Sequence, residues 1–536
     1  FLNPALAPKL LSTLDKRIRE LLPGLMPSDT FDQIRESARS RIEDAIRKGT
    51  STARVLPAET IVELYGSSRN NFGSDSADLD MCLIPPSGHD IPADEKPLII
   101  EFIGDALKEG DFKDVLPRPT ARIPIVQFED PETGFECDIS FNNPLAIRNT
   151  RLLRAYSLVD PRVRPLAYII KHWAKSRHMN SPGDGTLSSY GFILLLIHYL
   201  QTRSPAVLPN LQRLPKEWDG TQIPKGTKLP VPDSFDMELN PADNTPCHTY
   251  FYEAPAGNES MERSLQTYGA RNKQSVGDLL IGFFEYFAFH FDYRAAVVSI
   301  QAGGSITKLG KAEIDGWPLH DRLSIEDPFE TSYDVAHVIK SPQMVHLHKE
   351  FLRAFTLVRR ANTLHADSGS GSGSNKGGSG KDKEKAAKSS QKGGKGGKDS
   401  KGDGKGDKSE KEDNAASSGA SSTGGKISIP VDSLASSFKP HELVDVITKA
   451  PEDLPKFVKD VREMRERQEQ ARQEKQRDAA DREREREERD REKDLRSSQN
   501  SQQQQQNQRS QQNQQNQQMS PFDQLQAQYQ GGTEGF

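Results

Sequence analysis

The stretch Leu64-Tyr65-Gly66-Ser67-Ser68-Arg69-Asn70-Asn71-Phe72-Gly73-Ser74-Asp75-Ser76-Ala77-Asp78-Leu79-Asp80-Met81-Cys82-Leu83 decides how this chain is read. It joins two apolar runs, Thr60 to Tyr65 and Leu79 to Ile84, each with strand character, and the second is stopped by Pro85-Pro86. On a strand, two carboxylates separated by one residue point to the same face, so Asp78 and Asp80 converge. Hard divalent ions demand such oxygen ligands. Gly66-Ser67 ends the first strand, where a tight backbone can approach a phosphate and a hydroxyl can bond it. Asp138, between Cys137 and Ile139 in a later strand candidate, would supply a third carboxylate. Two metals bridged by three carboxylates form a clamp for in-line phosphoryl displacement. An Asp-x-Asp pair alone is common surface chemistry. Gly-Ser, ten residues, Asp-Leu-Asp inside an apolar strand and a later strand aspartate is far more specific. Asp75 reads as a loop residue.

Working outward, Ile123 to Phe128 and Phe135 to Ser140 are further strands around the turn at residues 130–134, and Pro97 to Leu107 reads as a helix. This is a mixed α/β unit of about a hundred residues. Before it, Leu10, Leu11, Leu14, Ile18, Leu21 and Leu22 recur at helical spacing, and Ser28-Asp29-Thr30 offers caps for a second helix through Ile46. After it, Leu166 to Trp173, Tyr190 to Leu200, Val276 to Phe291 and Val345 to Val358 read as helices, with a proline-rich excursion over 203–260. Trp173, Tyr199, Phe283, Phe284 and Phe287 are expected in the core, and His172 and His198 in structural roles.

Of 536 residues, only 34% are hydrophobic, and the formal net charge is −5. The average hides a split, because from Ala366 onward the chain is almost all Gly, Ser, Lys, Gln, Asp, Glu and Arg. Such a composition cannot offset its ordering entropy and predicts a long disordered tail. Residues 376–412 carry 12 lysines against 7 acids and read first as a flexible linker, with weak, salt-sensitive phosphate affinity as the alternative. Residues 456–496 alternate 15 basic with 14 acidic side chains, the pattern of a solvated helix held by i,i+4 ion pairs. Between them, Leu434, Leu443, Val444, Ile447 and Leu454 suggest one small docking helix. The longest apolar run, Tyr190 to Leu200, is too short to span a bilayer. Three scattered cysteines make no disulfide framework, and no leader pattern opens the sequence, so a reduced intracellular protein without membrane association is expected.

The carboxylate pattern resembles the nucleotidyltransferase superfamily that includes DNA polymerase beta and poly(A) polymerases. Four further blocks narrow the likeness: Asp138-Ile-Ser-Phe-Asn-Asn143-Pro-Leu-Ala-Ile-Arg-Asn149-Thr150, Lys171-His-Trp-Ala-Lys175, Gly185-Thr-Leu-Ser-Ser189-Tyr190-Gly, and Ile325-Glu-Asp327-Pro-Phe-Glu330. Together they are similar to the Cid-type family of noncanonical poly(A) polymerases and terminal uridylyltransferases, over roughly residues 10–360. The resemblance implies an α+β fold: a palm with a mixed sheet at 49–145 and a helical central (PAP-associated) domain at 146–365. Residues 1–48 would be helices packing with the central domain, 366–425 a linker, 426–498 a docking segment and charged helix, and 499–536 a Gln-rich disordered tail.

The same resemblance implies the chemistry. Asp78, Asp80 and Asp138 would be catalytic and hold two Mg2+ or Mn2+ ions, with a nucleoside triphosphate as substrate and a single-stranded RNA 3′ end as acceptor. Gly66 and Ser67 would meet phosphate. Asn149 and Thr150 would lie near the ribose, Lys171 and Lys175 at the triphosphate, Ser189 at phosphate, and Tyr190 would stack on the base. Asn143, Asp327, Glu330 and Tyr333 complete the implied substrate set. Many uridylyltransferases carry a histidine and later an arginine where this chain has Tyr333 and His337, so uridine preference does not carry over. AMP transfer leads, with UMP and CMP open. A noncatalytic RNA-binding scaffold and a 2′-5′ oligonucleotide or small-molecule nucleotidyltransferase are the alternatives. Adaptor or RNA-decay proteins on the tail, and a cytoplasmic location with the nucleus second, complete the expectations.

Overall fold

A computed structural model describes residues 8–49, 55–86, 92, 95–216, 218, 236–254, 258–369 and 439–518. The chain divides into two units, residues 1–452 and 453–536.

The first unit opens with helices α1 (Pro8–Leu21) and α2 (Phe31–Lys48). A five-stranded sheet follows from β1 (Ile61–Leu64), β2 (Leu79–Ile84), β3 (Lys113–Arg118), β4 (Ile125–Glu129) and β5 (Glu136–Phe141), with helix α3 (Lys96–Glu109) between β2 and β3. The spatial order is β1-β2-β5-β4-β3. Only β2 and β5 run parallel, so the sheet is mixed. Alternation decides its faces. Leu79, Met81, Leu83, Val126, Phe128, Cys137, Ile139 and Phe141 pack with Ala38, Ile42 and Ile46 of α2 and with Ile99, Ile100, Ile103 and Leu107 of α3. The other parity, carrying Asp80, Gln127 and Asp138, is left for the opposite face.

This corrects the expectation for the N-terminus. Helix α1 joins the second core through Leu10, Leu14 and Ile18, but α2 belongs to the palm, because its apolar stripe fits the sheet rather than the helical domain. Thr30 makes no side-chain cap to α2. Ser28 instead donates its N–H and hydroxyl to Asp75, at 3.0 and 3.1 Å. Strand β3, with its exposed and charged pattern, was not legible in the sequence.

The second core holds α4 (Pro144–Val159), α5 (Val163–Ser176), α6 (Ser189–Gln201), the hairpin β6 (Met237–Leu239) and β7 (Pro246–His248), α7 (Glu259–Ala270), α8 (Val276–Glu285), the hairpin β8 (Ala296–Ser299) and β9 (Gly304–Thr307), α9 (Lys308–Asp315) and α10 (Ser341–Gly369). Helix α6 is buried on every side from Gly191 to Gln201, as a helix apolar all round must be. Trp173 packs against Phe192, Phe284 and Phe351. Helix α8 ends in a π-helical turn, Tyr286–His290, and His198 lies against Tyr286 and Phe291 there. All three cysteines are buried free thiols.

The chain then returns to this core. A short helix, α11 (Leu443–Thr448), packs on α1, α5 and α10 with Leu443, Val444 and Ile447 buried. The suggested docking helix thus exists over Leu443, Val444 and Ile447, but Leu454 lies beyond it. Of the expected linker at 366–425, residues 366–369 continue α10, and residues 370–425, Leu434 and 519–536 lie outside the described residues. The second unit contains α12 (Lys456–Gln518), polar along most of its length although Val458 in its first turn is buried, with i,i+4 pairs such as Glu463–Arg467 at 3.2 Å. It runs through the glutamine-rich stretch 499–518, for which composition predicts no order; glutamine is a good helix former. Among the described residues, no helix is long and apolar enough to cross a membrane.

Burial pushes the His198 imidazole down to about 4, while its Nε2 meets the Tyr286 hydroxyl at 3.0 Å. The unfolded chain therefore takes up a proton near pH 6.5 that the folded chain refuses until about pH 4. Stability from this group is present above 6.5 and is lost as pH falls through that window, by about 3 kcal/mol. His198→Gln, which keeps a partner for Tyr286 without titrating, should flatten the pH 4–6.5 limb of the stability profile measured by urea unfolding.

Candidate active site

Three elements build the site: the polar face of β2 and β5, the loop from Gly66 to Asp78, and helices α4 to α6. Asp80 and Asp138 are direct partners in the parallel β2–β5 register. Asp78 lies just before β2, on the parity of Asp80 and more open to solvent. Burial, then the charges of Asp138 and Asp78, push the Asp80 carboxyl up to about 7, against an opposing hydrogen bond from the Ser67 backbone. Asp138 is also raised, by burial first, while the Gln127 amide opposes the shift. Gln127, facing Asp138 across the antiparallel β4–β5 pair, donates Nε2 to Oδ1 at 3.1 Å. Arg118 Nε in turn donates to Gln127 Oε1 at 2.6 Å. Among the described residues no three acidic, imidazole or thiol groups close into a complete ligand set. What exists is a carboxylate pair side by side with a third acid at the rim, an oxygen donor set suited to hard cations.

Gly66 explains itself. Its φ is +63°, and a Cβ there would sit 2.2 Å from Asp80 Oδ2. Its N–H donates to Thr150 Oγ1 at 2.8 Å, tying the strand end to α4. The loop beyond is clamped from two sides. Arg35 of α2 is buried between the rings of Phe31 and Phe135, and donates to Ser68 Oγ and to the carbonyls of Ser74 and Ala77. From α5, Tyr168 donates to Gly73 O at 2.8 Å and Arg164 to Asn71 O at 3.3 Å. Lys171 donates to the Phe72 carbonyl, and burial, then Lys175, bring its ammonium down to about 8. Lys171 thus belongs to the loop, whereas Lys175, a turn later, is exposed.

The base-side residues form a second group. The Tyr190 hydroxyl lies 3.0 Å from Asn149 Oδ1 and 2.8 Å from Asp327 Oδ2. Asp327 is buried, accepts the N–H groups of Phe329 and Glu330 at 3.0 Å, and burial raises its carboxyl. Arg122, from the palm turn between β3 and β4, pairs with Glu330 and lies 4.4 Å over the Tyr333 ring. Tyr333 also meets His337, ring centroids 5.1 Å apart. Ser189 accepts from Asn180 Nδ2 at 2.8 Å, while Ser188 caps α6. Asn143 caps α4, so its Oδ1 is occupied by the Ala146 N–H. Asn143 therefore supports the helix that carries Asn149 and Thr150 rather than standing open beside them.

Several contributors escaped the sequence reading. Arg35 left a trace, an arginine on the apolar stripe of α2. Gln127 was readable only from strand register, and Arg122 and Asn180 only from tertiary contact.

Residues 14–158 match the family described as poly(A) RNA polymerase, mitochondrial-like, central palm domain, and residues 275–333 the family described as Cid1 family poly A polymerase. The poly(A) RNA polymerase cid13 of Schizosaccharomyces pombe is 30% identical over 349 residues, 64% of this chain and 53% of that protein. The chain thus carries the palm and PAP-associated segments of Cid1-type poly(A) polymerases and terminal uridylyltransferases, and is similar to them over most of its first 360 residues. Poly(A) RNA polymerase GLD2-A of Xenopus laevis is 31% identical, covering 66% of this chain and 62% of its own length. Human terminal uridylyltransferase 7 is also 31% identical, over 65% of this chain and 21% of its own. The chain thus spans less than two thirds of these relatives. The solved structure of Cid1 with the UTP analog UMPNPP superimposes with a TM-score of 0.51 at 26% identity, over 65% of this chain and 94% of Cid1. A Cid1 structure described for its RNA terminal uridylyl transferase activity gives 0.51 at 27% identity, over the same shares. The fold of the Cid1-type core is therefore that of solved nucleotidyltransferases.

Gly66→Ala should destabilise the fold by about 1–2 kcal/mol through its positive φ alone, and the added methyl would displace the Asp80 carboxylate. Thermal unfolding and Mn2+ titration by calorimetry should both register the change, with metal affinity falling about tenfold or more for one disturbed carboxylate ligand.

Proposed function

We propose that this chain transfers nucleoside monophosphates from a nucleoside triphosphate to RNA 3′ ends without a template. The observation that carries the reading is the in-register Asp80–Asp138 pair on two interior strands, on the sheet face opposite the apolar core and beside the strand end at Gly66-Ser67. The 3′-hydroxyl oxygen attacks the α-phosphorus, the bond to the bridging oxygen breaks, and pyrophosphate leaves. Asp78, Asp80 and Asp138 would hold two Mg2+ or Mn2+ ions, which when bound lower the pKa of the attacking hydroxyl and neutralise the leaving charge. Gln127 holds Asp138 in orientation. Ser67 and Ser189 present hydroxyls to phosphate, and Lys175 adds charge at the triphosphate, while Lys171 acts by fixing the loop. Asn149 and Thr150 border the ribose. The Tyr190 ring lies under the base, its hydroxyl anchored toward Asn149 and Asp327.

Base choice rests on Tyr333. Its phenol donates one hydrogen bond and accepts others, whereas an imidazole offers a fixed donor and acceptor. Relatives of both kinds, adenylating and uridylylating, match this chain equally well, and the tyrosine supports AMP transfer first, with UMP and CMP open. Arg122 orients this reader through Glu330 and the ring stack.

Incubating the protein with a labelled oligoribonucleotide and each nucleoside triphosphate separately tests the activity; no extension with any of the four overturns it. Asp138→Ala should leave the melting profile near that of the wild type and lower tailing by several orders of magnitude, about 10³-fold or more. Residual activity within tenfold of wild type would remove Asp138 from the metal set.

Tyr333→His should raise UTP use relative to ATP. One reader contact is worth about 1–2 kcal/mol, a five- to thirtyfold change in the ratio of kcat/KM values. Measured on the same RNA, an unchanged ratio removes position 333 from the specificity argument.

A further inference from the structure

We propose that the groove lined by α1, α5 and α10 is a receptor for a short helical motif, and that residues 439–452 of this chain are its ligand. On this view the catalytic core is a two-piece structure, its second piece held by side-chain recognition rather than by the connecting chain. The proposal rests on the fold and not on the proposed activity.

The ligand is too short to stand alone. Helix α11 has six residues, well under the length at which an isolated helix persists in water. Its order therefore comes from the groove. Leu443, Val444 and Ile447 are at most 2% exposed and join the same apolar core as Leu10, Leu14 and Ile18 of α1. Three arginines read its polar groups. Arg17 forks onto the Asp445 carboxylate, Nε to Oδ2 at 2.9 Å and Nη2 to Oδ1 at 2.8 Å. Arg353 donates to the carbonyls of Val446 and Ile447 at 3.0 and 3.2 Å. Arg177 donates to the carbonyl of Lys449 at 2.6 Å. These last three carbonyls are the ones a helix leaves without internal partners at its C-terminal end, where positive charge is favoured.

The receptor is organised independently of its ligand. Glu350 on α10 grips Arg177 with two hydrogen bonds of 2.8 Å and lies 3.9 Å from Arg353, with all three side chains nearly buried. One carboxylate thus aims two guanidinium groups at the ligand's carbonyls. Charge complementarity extends to the entry, where Asp445 faces Arg17. From residue 370 to 425 the sequence carries no apolar side chain larger than alanine, and the contacts on the groove are made by the motif Leu443-Val-Asp-Val-Ile447 and the backbone after it. The docked piece also braces the C-terminal end of α5. Beyond Arg177 lies Asn180, which holds Ser189.

The test uses the full chain with a recognition sequence for a site-specific protease inserted after Ser400. After cleavage, the two pieces should co-elute on size exclusion as a 1:1 complex with the mass of one chain. Ile447→Asp should release the C-terminal piece, and Asp445→Arg should weaken its retention about tenfold. Arg17→Glu added to Asp445→Arg should restore it, which a mere folding defect would not. Separation of the pieces from the unsubstituted chain overturns the proposal, as does retention that survives both Ile447→Asp and Asp445→Arg. A complex of twice the mass would assign the ligand to a second copy and overturn the intrachain reading, and a charge reversal without rescue would overturn the Arg17–Asp445 recognition.

Discussion

Everything in the site depends on setting two carboxylates beside one another across a parallel strand pair. Asp80 and Asp138 share a register on β2 and β5; burial raises both carboxyls, and neighbouring acids add to it, Asp138 and Asp78 at Asp80 and Asp78 at Asp138. Such an arrangement is unfavourable in a sheet that serves stability alone. It persists because the opposite parity of the same strands, Leu79, Met81, Leu83, Cys137, Ile139 and Phe141, is packed on α2 and α3. Slipping either strand by one residue would relieve the repulsion only by turning that whole apolar set to solvent. The core thus enforces the charge cluster.

The second constraint is the path of the chain between Gly66 and Asp78. This loop has no regular ladder of its own, so its carbonyls are satisfied from neighbouring elements. Arg35 takes those of Ser74 and Ala77, Tyr168 that of Gly73, and Lys171 that of Phe72. A palm helix and a central-domain helix therefore hold one loop jointly. Together with Gly66 N–H on Thr150 and Arg122 on Glu330, they fix the palm against the helical domain. Positive side chains in this family fold are easily taken for phosphate ligands. Here the Lys171 ammonium donates to the loop carbonyl of Phe72, with burial drawing it toward neutrality.

The helical domain is likewise not closed by contiguous sequence. Helix α1 from the front of the chain and α11 from beyond residue 439 meet on it, and Glu350 organises the arginines that receive the latter. A buried bidentate ion pair such as Arg177–Glu350 gives little net stability relative to an apolar replacement, but losing one partner leaves a stranded charge. Its value here lies in direction: it fixes where two guanidinium groups point.

What the sequence determined by itself was whatever is encoded in local period and composition. The two-residue alternation around Asp78-Leu-Asp80 and Cys137-Asp138-Ile139 placed the acids on one face and their neighbours in a core. The continuous apolar run of α6 announced a buried helix, and Trp173, Tyr199 and Phe283 fell in the core as their chemistry required. The tertiary structure decided what depends on partners distant in the chain. Helix α2 went to the palm rather than the helical domain because its stripe matched the sheet, and β3 formed because β4 offered it an edge and α3 covered its short apolar face, Val115 and Pro117. Gln127 became the holder of Asp138 through register, and Asn143 became a cap because the chain turns there into α4. Local pattern states which side of an element is apolar, but not which surface will cover it; that is settled only when the elements compete for one another in space.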